Sequence, residues 1–304
     1  MRFLHCSDVH VTADYFSRPL LSLGWRRWIA LYKLKFGGRE RDFRDSAATL
    51  RQIAADLRHH AADHLILSGD LTAYALEEEF RGCREALGAA VADPRRATVI
   101  PGNHDTYTPD AVEARLFEKY FGHLLQSDLP EYQREGVYPL VRHFPQDKVA
   151  VVGLLSARVP IIPGASWGKV GQAQLDGLSA LIADPRLADH AFLVAVHHAP
   201  LTESGAADLP HHRLVDVEQL LRLLPGPRFA LLHGHIHHRY HHPASSTRPH
   251  IFGAGSSTQR GRQGYWVIEV KQGRIEGAQM FKPGHQELLP VPGYEAPGPL
   301  TFGP

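Results

Sequence analysis

Five short apolar runs of this 304-residue chain end on residues able to coordinate a metal or move a proton. The run at 2–8 leads to Asp8 and His10, and 64–70 ends on Asp70. The run at 97–105 closes on Asn103, His104 and Asp105, and 191–198 closes on His197 and His198. The run at 229–235 reaches His235, with His237 two residues further on. These side chains offer oxygen or imidazole nitrogen and no thiolate, a donor set suited to divalent first-row metals. Asp8 and His10 are separated by one residue, so both can reach one site once the strand has run into a loop. Gly69, Gly102 and Gly234 precede candidate ligands, where the backbone must turn tightly or come close to a metal. A single Asp-x-His pair would be an ordinary polar loop, but five such endings in one order are hard to read as accident.

Elements that could carry these endings follow from periodicity. Each run reads as a strand of four to six residues. Apolar residues spaced three to four apart predict helices over 46–59, 76–90, 111–120, 171–183 and 214–224. Alternation of strands and helices predicts an α/β fold with buried sheets, and open α/β sheets gather ligands at the carboxyl ends of their strands. Hairpins are expected at about 136–155, through Pro145, Gln146 and Asp147, and near the end, turning at Gln272-Gly273. A domain over 1–281 would then be followed by an irregular Pro-rich tail over 282–304.

Composition narrows the class. Thirty-three Lys and Arg stand against 32 Asp and Glu, a formal net charge of +1, so bulk electrostatics gives no case for a nucleic-acid polymer as partner. Cys6 and Cys83 lack the CxxC spacing and number of a disulfide framework and read as buried thiols. No signal-peptide apolar region opens the sequence and no run is long enough to span a bilayer. The cytoplasm is therefore the expected location. There is no GxxxxGK[ST] phosphate loop.

The ordered set Asp8-x-His10, Gly69-Asp70, Gly102-Asn103-His104-Asp105, His197 and Gly234-His235-x-His237 resembles the calcineurin-like metallophosphoesterase superfamily over roughly residues 1–280. The resemblance implies a four-layer αββα sandwich of two facing mixed sheets, with a dinuclear metal site at the strand ends. Asp8, His10 and His237 would hold one divalent ion, Asn103, His197 and His235 the other, and Asp70 would bridge. Mn is the favoured metal among Mn, Fe, Zn and Mg. The implied nucleophile is a metal-bridging hydroxide, and the charge of two divalent ions exceeds that of two carboxylates, leaving a positive site for a phosphate. His104 would face the leaving oxygen as general acid or cationic stabiliser, a role worth about 10² to 10⁴ in rate. His198 is expected either behind the ligands or exposed. Gly255 and Ser256, in GAGSSTQ at 253–259, are expected at the substrate rim.

Two departures separate the chain from the Ser/Thr protein phosphatases of that superfamily, which show GDxVDRG and GNHE. Here Ala73 stands where they carry a second Asp that orients the catalytic histidine, and Asp105 follows the GNH triplet and is the expected substitute. The pattern looks more like the bacterial branch with cyclic-nucleotide phosphodiesterases and lipid-precursor pyrophosphatases. The expected activity is therefore hydrolysis of a small-molecule phosphodiester, such as a cyclic nucleotide. The alternatives are a pyrophosphatase acting on a lipid-linked nucleotide, such as a UDP-acylglucosamine lipid A precursor, and a catalytically inactive metal-binding scaffold.

Fifty-eight residues, Val11 to Ser68, separate the first pair from Gly69-Asp70, more than one helix needs. The surplus at 18–41 predicts a helix from Pro19 to Gly37-Gly38, with Leu21, Trp25, Trp28, Ile29, Tyr32 and Phe36 at helical spacing and Arg26, Arg27, Lys33 and Lys35 among them. It reads as a lid or helix packed on the enzyme or on a second subunit, with solvated basic residues, or as a peripheral membrane contact. His59, His60, His211, His212, His241 and His242 are expected in solvent-exposed loops. The oligomeric state is left open.

Overall fold

The computed structural model describes residues 1–15, 24, 27, 39–160, 165–287 and 300–301. Most of the expected 18–41 helix, Trp25 and Trp28 included, lies outside the described residues. Two mixed sheets are built from thirteen strands among the described residues. In the first, β1 (Arg2–Cys6) pairs parallel with β2 (His64–Leu67), and β2 with β3 (Ala97–Val99). In the second, β4 (Leu140–Phe144) turns back on β5 (Val149–Gly153), which leads a parallel set with β6 (Ala191–Ala195) and β7 (Phe229–His233). That set continues through β9 (His250–Ala254), and β8 (Arg239–His242) closes the edge antiparallel to β9.

Alternate side chains of the second sheet enter different cores. Val149 and Val151 of β5, Leu193 of β6 and Leu232 of β7 join a core shared with Leu4 and Leu65 of the first sheet. Val152, Val194 and Leu231 face the other way, onto Leu175 and Leu178 of α6 (Gln172–Ile182) and Leu220 of α7 (Val217–Arg222). A period of two with both faces apolar marks a sheet covered on both sides. On the first sheet, α2 (Ser46–His59) and α3 (Glu77–Leu87) supply Leu50, Ile53, Phe80 and Cys83, while α1 (Arg39–Phe43) precedes them. The result is the expected α/β layering, helix against sheet against sheet against helix.

Several boundaries differ from expectation for identifiable reasons. The helix predicted over 111–120 is two short helices, α4 (Pro109–Glu113) and α5 (Leu116–Phe121), because Arg115 between them is left-handed at φ 50°. Both hairpins form, the second from β10 (Tyr265–Lys271) and β11 (Arg274–Lys282), with Gln272 and Gly273 both at positive φ. Within the stretch expected to be irregular, β12 (Gln286–Glu287) and β13 (Leu300–Thr301) pair with β11. His241 and His242 lie in β8 and are half-buried rather than in exposed loops. His60 is also half-buried and shares a hydrogen bond with the Tyr265 hydroxyl at 2.8 Å. No described helix is long and apolar enough to cross a membrane.

Candidate metal centre

The loops that leave the parallel strands are stitched together before they diverge. Asp8 N donates to the Gly69 carbonyl at 3.0 Å, His10 N to the Asp70 carbonyl at 3.0 Å, and Gly234 N to the His197 carbonyl at 3.1 Å. Asp8, His10, Asp70, His235 and His237 have left-handed backbones, with φ of 51°, 41°, 54°, 74° and 55°. Non-glycine residues rarely sit there, and clusters of them mark sites where surrounding structure enforces strain. The preceding glycines are required by crowding. A Cβ at Gly69 would lie 2.6 Å from His197 Nδ1, one at Gly102 would collide with the Asp70 carboxylate, and one at Gly234 would collide with Asp8 Oδ2 and Ser7 Oγ.

Asp70 sits between two groups of candidate ligands. Its Oδ2 lies 3.7 Å from His10 Nε2 and its Oδ1 3.4 Å from His197 Nε2, so the two oxygens of one carboxylate face different histidines. On the first side, Asp8 Oδ1 stands 3.2 Å from His237 Nε2 and 3.8 Å from His10 Nε2, while the two imidazole nitrogens are 3.1 Å apart. On the second side, Asn103 Oδ1 is 2.9 Å from both His197 Nε2 and His235 Nδ1. Outer atoms of the rings are fixed by main chain: His10 Nδ1 donates to Thr72 O at 3.2 Å, His197 Nδ1 to Ser68 O at 2.9 Å, and His235 Nε2 to His212 O at 2.8 Å. Such outer bonds select the tautomer that turns the other nitrogen inward.

The donor set fits metal ions. Asp8 Oδ1 is buried and accepts no hydrogen bond, an expensive state for a carboxylate oxygen that a cation would relieve. Burial and the neighbouring His198 and His197 hold His235 well below the ordinary histidine range, so its ring is neutral. With the Nε2 proton committed to His212 O, His235 Nδ1 presents a lone pair to the lone pairs of Asn103 Oδ1. Two acceptors aimed at one point make a cation site rather than a hydrogen bond. Burial alone would raise the Asp70 carboxyl, but His197, His104 and His10 outweigh it and hold Asp70 well below the usual carboxylate range. Burial likewise lowers His197, yet the Asp70 and Asp8 charges carry it up to about 9. A metal can therefore replace a proton shared by these groups.

His104 donates from Nδ1 to the Ala73 carbonyl at 2.6 Å, and its main-chain N–H donates to Asp70 Oδ1 at 2.8 Å. Its ring meets that of His10 edge-on at 4.7 Å, over the same centre. Asp105 does not orient it. The Asp105 carboxylate accepts from Gly102 N at 2.8 Å, Thr72 N at 2.9 Å and Leu71 N at 3.1 Å, clasping the loops after β2 and β3. Ser256 is not on a rim either. It is fully buried, and its hydroxyl donates to the Asp8 carbonyl at 2.8 Å, beside Thr258, whose hydroxyl donates to the Val9 carbonyl at 2.6 Å. Gly255, buried and at φ 66°, supplies the bend that brings these hydroxyls under the loop. His198 is buried behind the candidate ligands, with Nδ1 2.8 Å from Ser156 Oγ and Nε2 3.0 Å from Ser166 O, so neither ring nitrogen faces the candidate centre.

Some contributors had no sequence signal strong enough to find them. His212, expected in an exposed loop, is half-buried and stacks on His235 with ring centroids 3.8 Å apart. Phe43, at the end of α1, walls the first side with its ring 4.8 Å from that of His10. Residues 164–168 spell Gly-x-Ser-x-Gly, the spacing of a serine-hydrolase elbow. Ser166, however, follows no strand among the described residues and uses its main chain to hold His211 and His198.

Because Gly234 has no room for a side chain, Gly234→Ala should displace Asp8. The expected result is a loss of about 1 to 3 kcal/mol in unfolding free energy together with fewer metal equivalents after reconstitution. Denaturant melts and metal analysis check it, and a variant with unchanged metal content would show that the loop relaxes freely.

The calcineurin-like phosphoesterase family model matches residues 1–239, and the chain belongs to that family. It is thus a metallophosphoesterase, from a family that uses divalent metal ions. Among solved structures it is similar to a dimetal phosphatase from Danio rerio, at 16% identity and TM-score 0.64 with 99% of each chain covered. It is also similar to a purple acid phosphatase from yellow lupin, at 10% identity and TM-score 0.54 over 94% of this chain and 52% of that one. A putative 5′-nucleotidase from Staphylococcus aureus gives 13% identity and TM-score 0.51 over 93% and 54%. At these identities the likeness is one of fold. No curated protein matches the chain.

Proposed function

We propose that the chain hydrolyses a small phosphodiester, a cyclic nucleotide being one such substrate, with Asp8, His10 and His237 on one divalent ion, Asn103, His197 and His235 on the other, and Asp70 shared. The observation that carries the reading is the Asp70 carboxylate, with Oδ2 toward His10 at 3.7 Å and Oδ1 toward His197 at 3.4 Å. When bound, the ions supply an activated water and the positive charge that holds a phosphate. The chain's own residues do the rest. His104 and His237 are the half-buried members of an otherwise buried set, so substrate reaches the centre from their side. His104 keeps its Nδ1 proton on Ala73 O and, as the imidazolium, gives its Nε2 proton to the departing oxygen, returning to the neutral Nδ1–H ring. Asp105 fixes the loops that carry Asp70 and His104 without touching the substrate. Mn is the metal proposed.

A second reading, hydrolysis of a lipid-linked nucleotide pyrophosphate, is favoured by one feature. A cavity of about 500 Å³ lies beside the turn that carries His104, walled by Pro101 and Thr106 on one side and by Phe117, Tyr138 and Leu155 on the other. That volume falls within the range of ligand pockets, and its apolar walls suit the apolar part of a lipid.

The deciding assay uses chelator-stripped protein before and after Mn²⁺ is added, on bis-p-nitrophenyl phosphate and on p-nitrophenyl phosphate. Metal-restored hydrolysis that favours the diester supports the phosphodiesterase reading. A preference for the monoester, in line with the phosphatase name of the Danio rerio neighbour, would overturn it. Activity confined to a UDP-acylglucosamine lipid in detergent would move the assignment to the pyrophosphatase reading. Metal binding with no turnover of any of these substrates would leave the scaffold.

A further inference from the structure

We propose that Arg27 is a positioning residue for His104, acting through the turn at 73–76. Arg27 belongs to the segment expected to carry solvated basic residues, yet it is only 5% exposed. Its Nε donates to the Tyr74 carbonyl at 2.9 Å, and its Nη2 donates to the Ala75 carbonyl at 3.0 Å and to Thr108 Oγ1 at 2.7 Å. Its Nη1 pairs with Asp110 Oδ2 at 2.8 Å. The carbonyl immediately before these two, that of Ala73, accepts the Nδ1 proton of His104 at 2.6 Å.

The turn is held from both sides. Glu79 Oε2 accepts from Tyr74 N at 2.9 Å and Leu76 N at 3.0 Å, while Thr72 Oγ1 accepts from Ala75 N at 3.2 Å. Glu79 thus fixes N–H groups and Arg27 fixes carbonyls of the same four residues, and Ala75 between them is left-handed at φ 55°. A peptide carbonyl turns with its neighbours, so anchoring the oxygens of Tyr74 and Ala75 restrains the direction of the Ala73 oxygen. A carboxylate in that place would orient the histidine by itself, whereas a main-chain carbonyl is only as rigid as its turn. Burying a guanidinium is costly unless its donors are engaged. The planar fork is the side chain able to hold two successive carbonyls and a hydroxyl together, which a lysine ammonium cannot do with the same geometry. Through Thr108 and Asp110 the same group ties the turn to the start of α4, just beyond the loop carrying His104. Arg27 therefore contributes to the site although it is not itself a candidate ligand.

The inference rests on the reading of His104 as proton donor, and the experiment separates the two. Arg27→Gln, Arg27→Lys, His104→Ala and the Arg27→Gln/His104→Ala double variant are assayed, metal-loaded, on aryl phosphodiesters whose leaving groups rise in pKa. Arg27→Gln should lower kcat by about 10- to 100-fold for the poorest leaving group and leave the nitrophenolate ester near wild type, with KM little changed. Arg27→Lys should lie between. Added to His104→Ala, Arg27→Gln should cost nothing further, since residues acting through one group are non-additive. A loss uniform across leaving groups, or one that multiplies with the His104→Ala loss, would overturn the proposal and leave Arg27 as an anchor of its own segment. A His104→Ala profile with no dependence on the leaving group would overturn the donor reading and the proposal with it. If the glutamine variant does not fold, Arg27→Lys, which retains the charge, is carried through the same cycle.

Discussion

Asp70→Ala should reduce phosphoester hydrolysis by about 100-fold or more and remove the coupling between two bound metals. Its carboxylate is the group that faces both ligand sets, and Oδ1 also accepts the His104 main-chain N–H at 2.8 Å. Deleting it would subtract the proposed shared ligand, leave His197 without the charge that raises it, and remove the acceptor of the His104 main-chain N–H. Asp70→Asn separates these effects. The amide keeps an acceptor for His104 N–H but supplies one neutral oxygen, so it should hold the loop and still lose one metal equivalent. Metal titration of the stripped protein, followed by calorimetry, reads the result directly. Two independent, full-strength metal sites in Asp70→Ala, or activity above a few per cent of wild type, would sink the shared-ligand assignment.

What the sequence disclosed about this centre follows a physical dividing line. Asp8, His10, Asp70, Asn103, His197, His235 and His237 were visible because each stands at the end of a strand-like apolar run, and parallel strands deliver such ends to one edge. Gly69, Gly102 and Gly234 were visible because a candidate ligand follows each of them. The missing part consists of contacts between main chain and distant side chains. Ser256 and Asp8 are 248 residues apart, and the Ser256 hydroxyl meets a carbonyl, a group every residue carries. A serine beside a glycine reads equally well as a rim or as a clamp until the sheet order puts β9 next to β7. Asp105 departs from expectation for a related reason: a carboxylate next to a histidine suggests a pair, whereas here the loop bends it toward three main-chain N–H groups. Arg27 shows the same limit. Helical spacing counts a charged residue as solvent-facing, and nothing in it tells which arginine meets two carbonyls of another loop.

That difference between a side-chain and a main-chain orienter gives His104→Ala its diagnostic value. In the protein phosphatases that the sequence resembles but departs from, a carboxylate would stand at position 73; here alanine offers only its carbonyl, 2.6 Å from Nδ1. A neutral carbonyl fixes the tautomer and leaves Nε2 as the inward nitrogen, but it stabilises a charged imidazolium less than a carboxylate would. His104 should therefore matter most where a proton must be delivered to an alkoxide. The expected loss is about 10² to 10⁴ in kcat for an alkyl leaving group, shrinking toward wild type for p-nitrophenolate, with metal content intact. The slope of log kcat against leaving-group pKa should steepen in the variant, because the uncatalysed departure now carries the full negative charge. Equal losses for good and poor leaving groups would assign His104 to phosphate binding instead. Loss of a metal would make it a ligand, a role for which the His10, Asp70 and His104 cluster has the necessary proximity. The hydrogen bond to Ala73 is the observation on the side of the proposed donor role: it holds the ring on the half-buried side of the candidate centre.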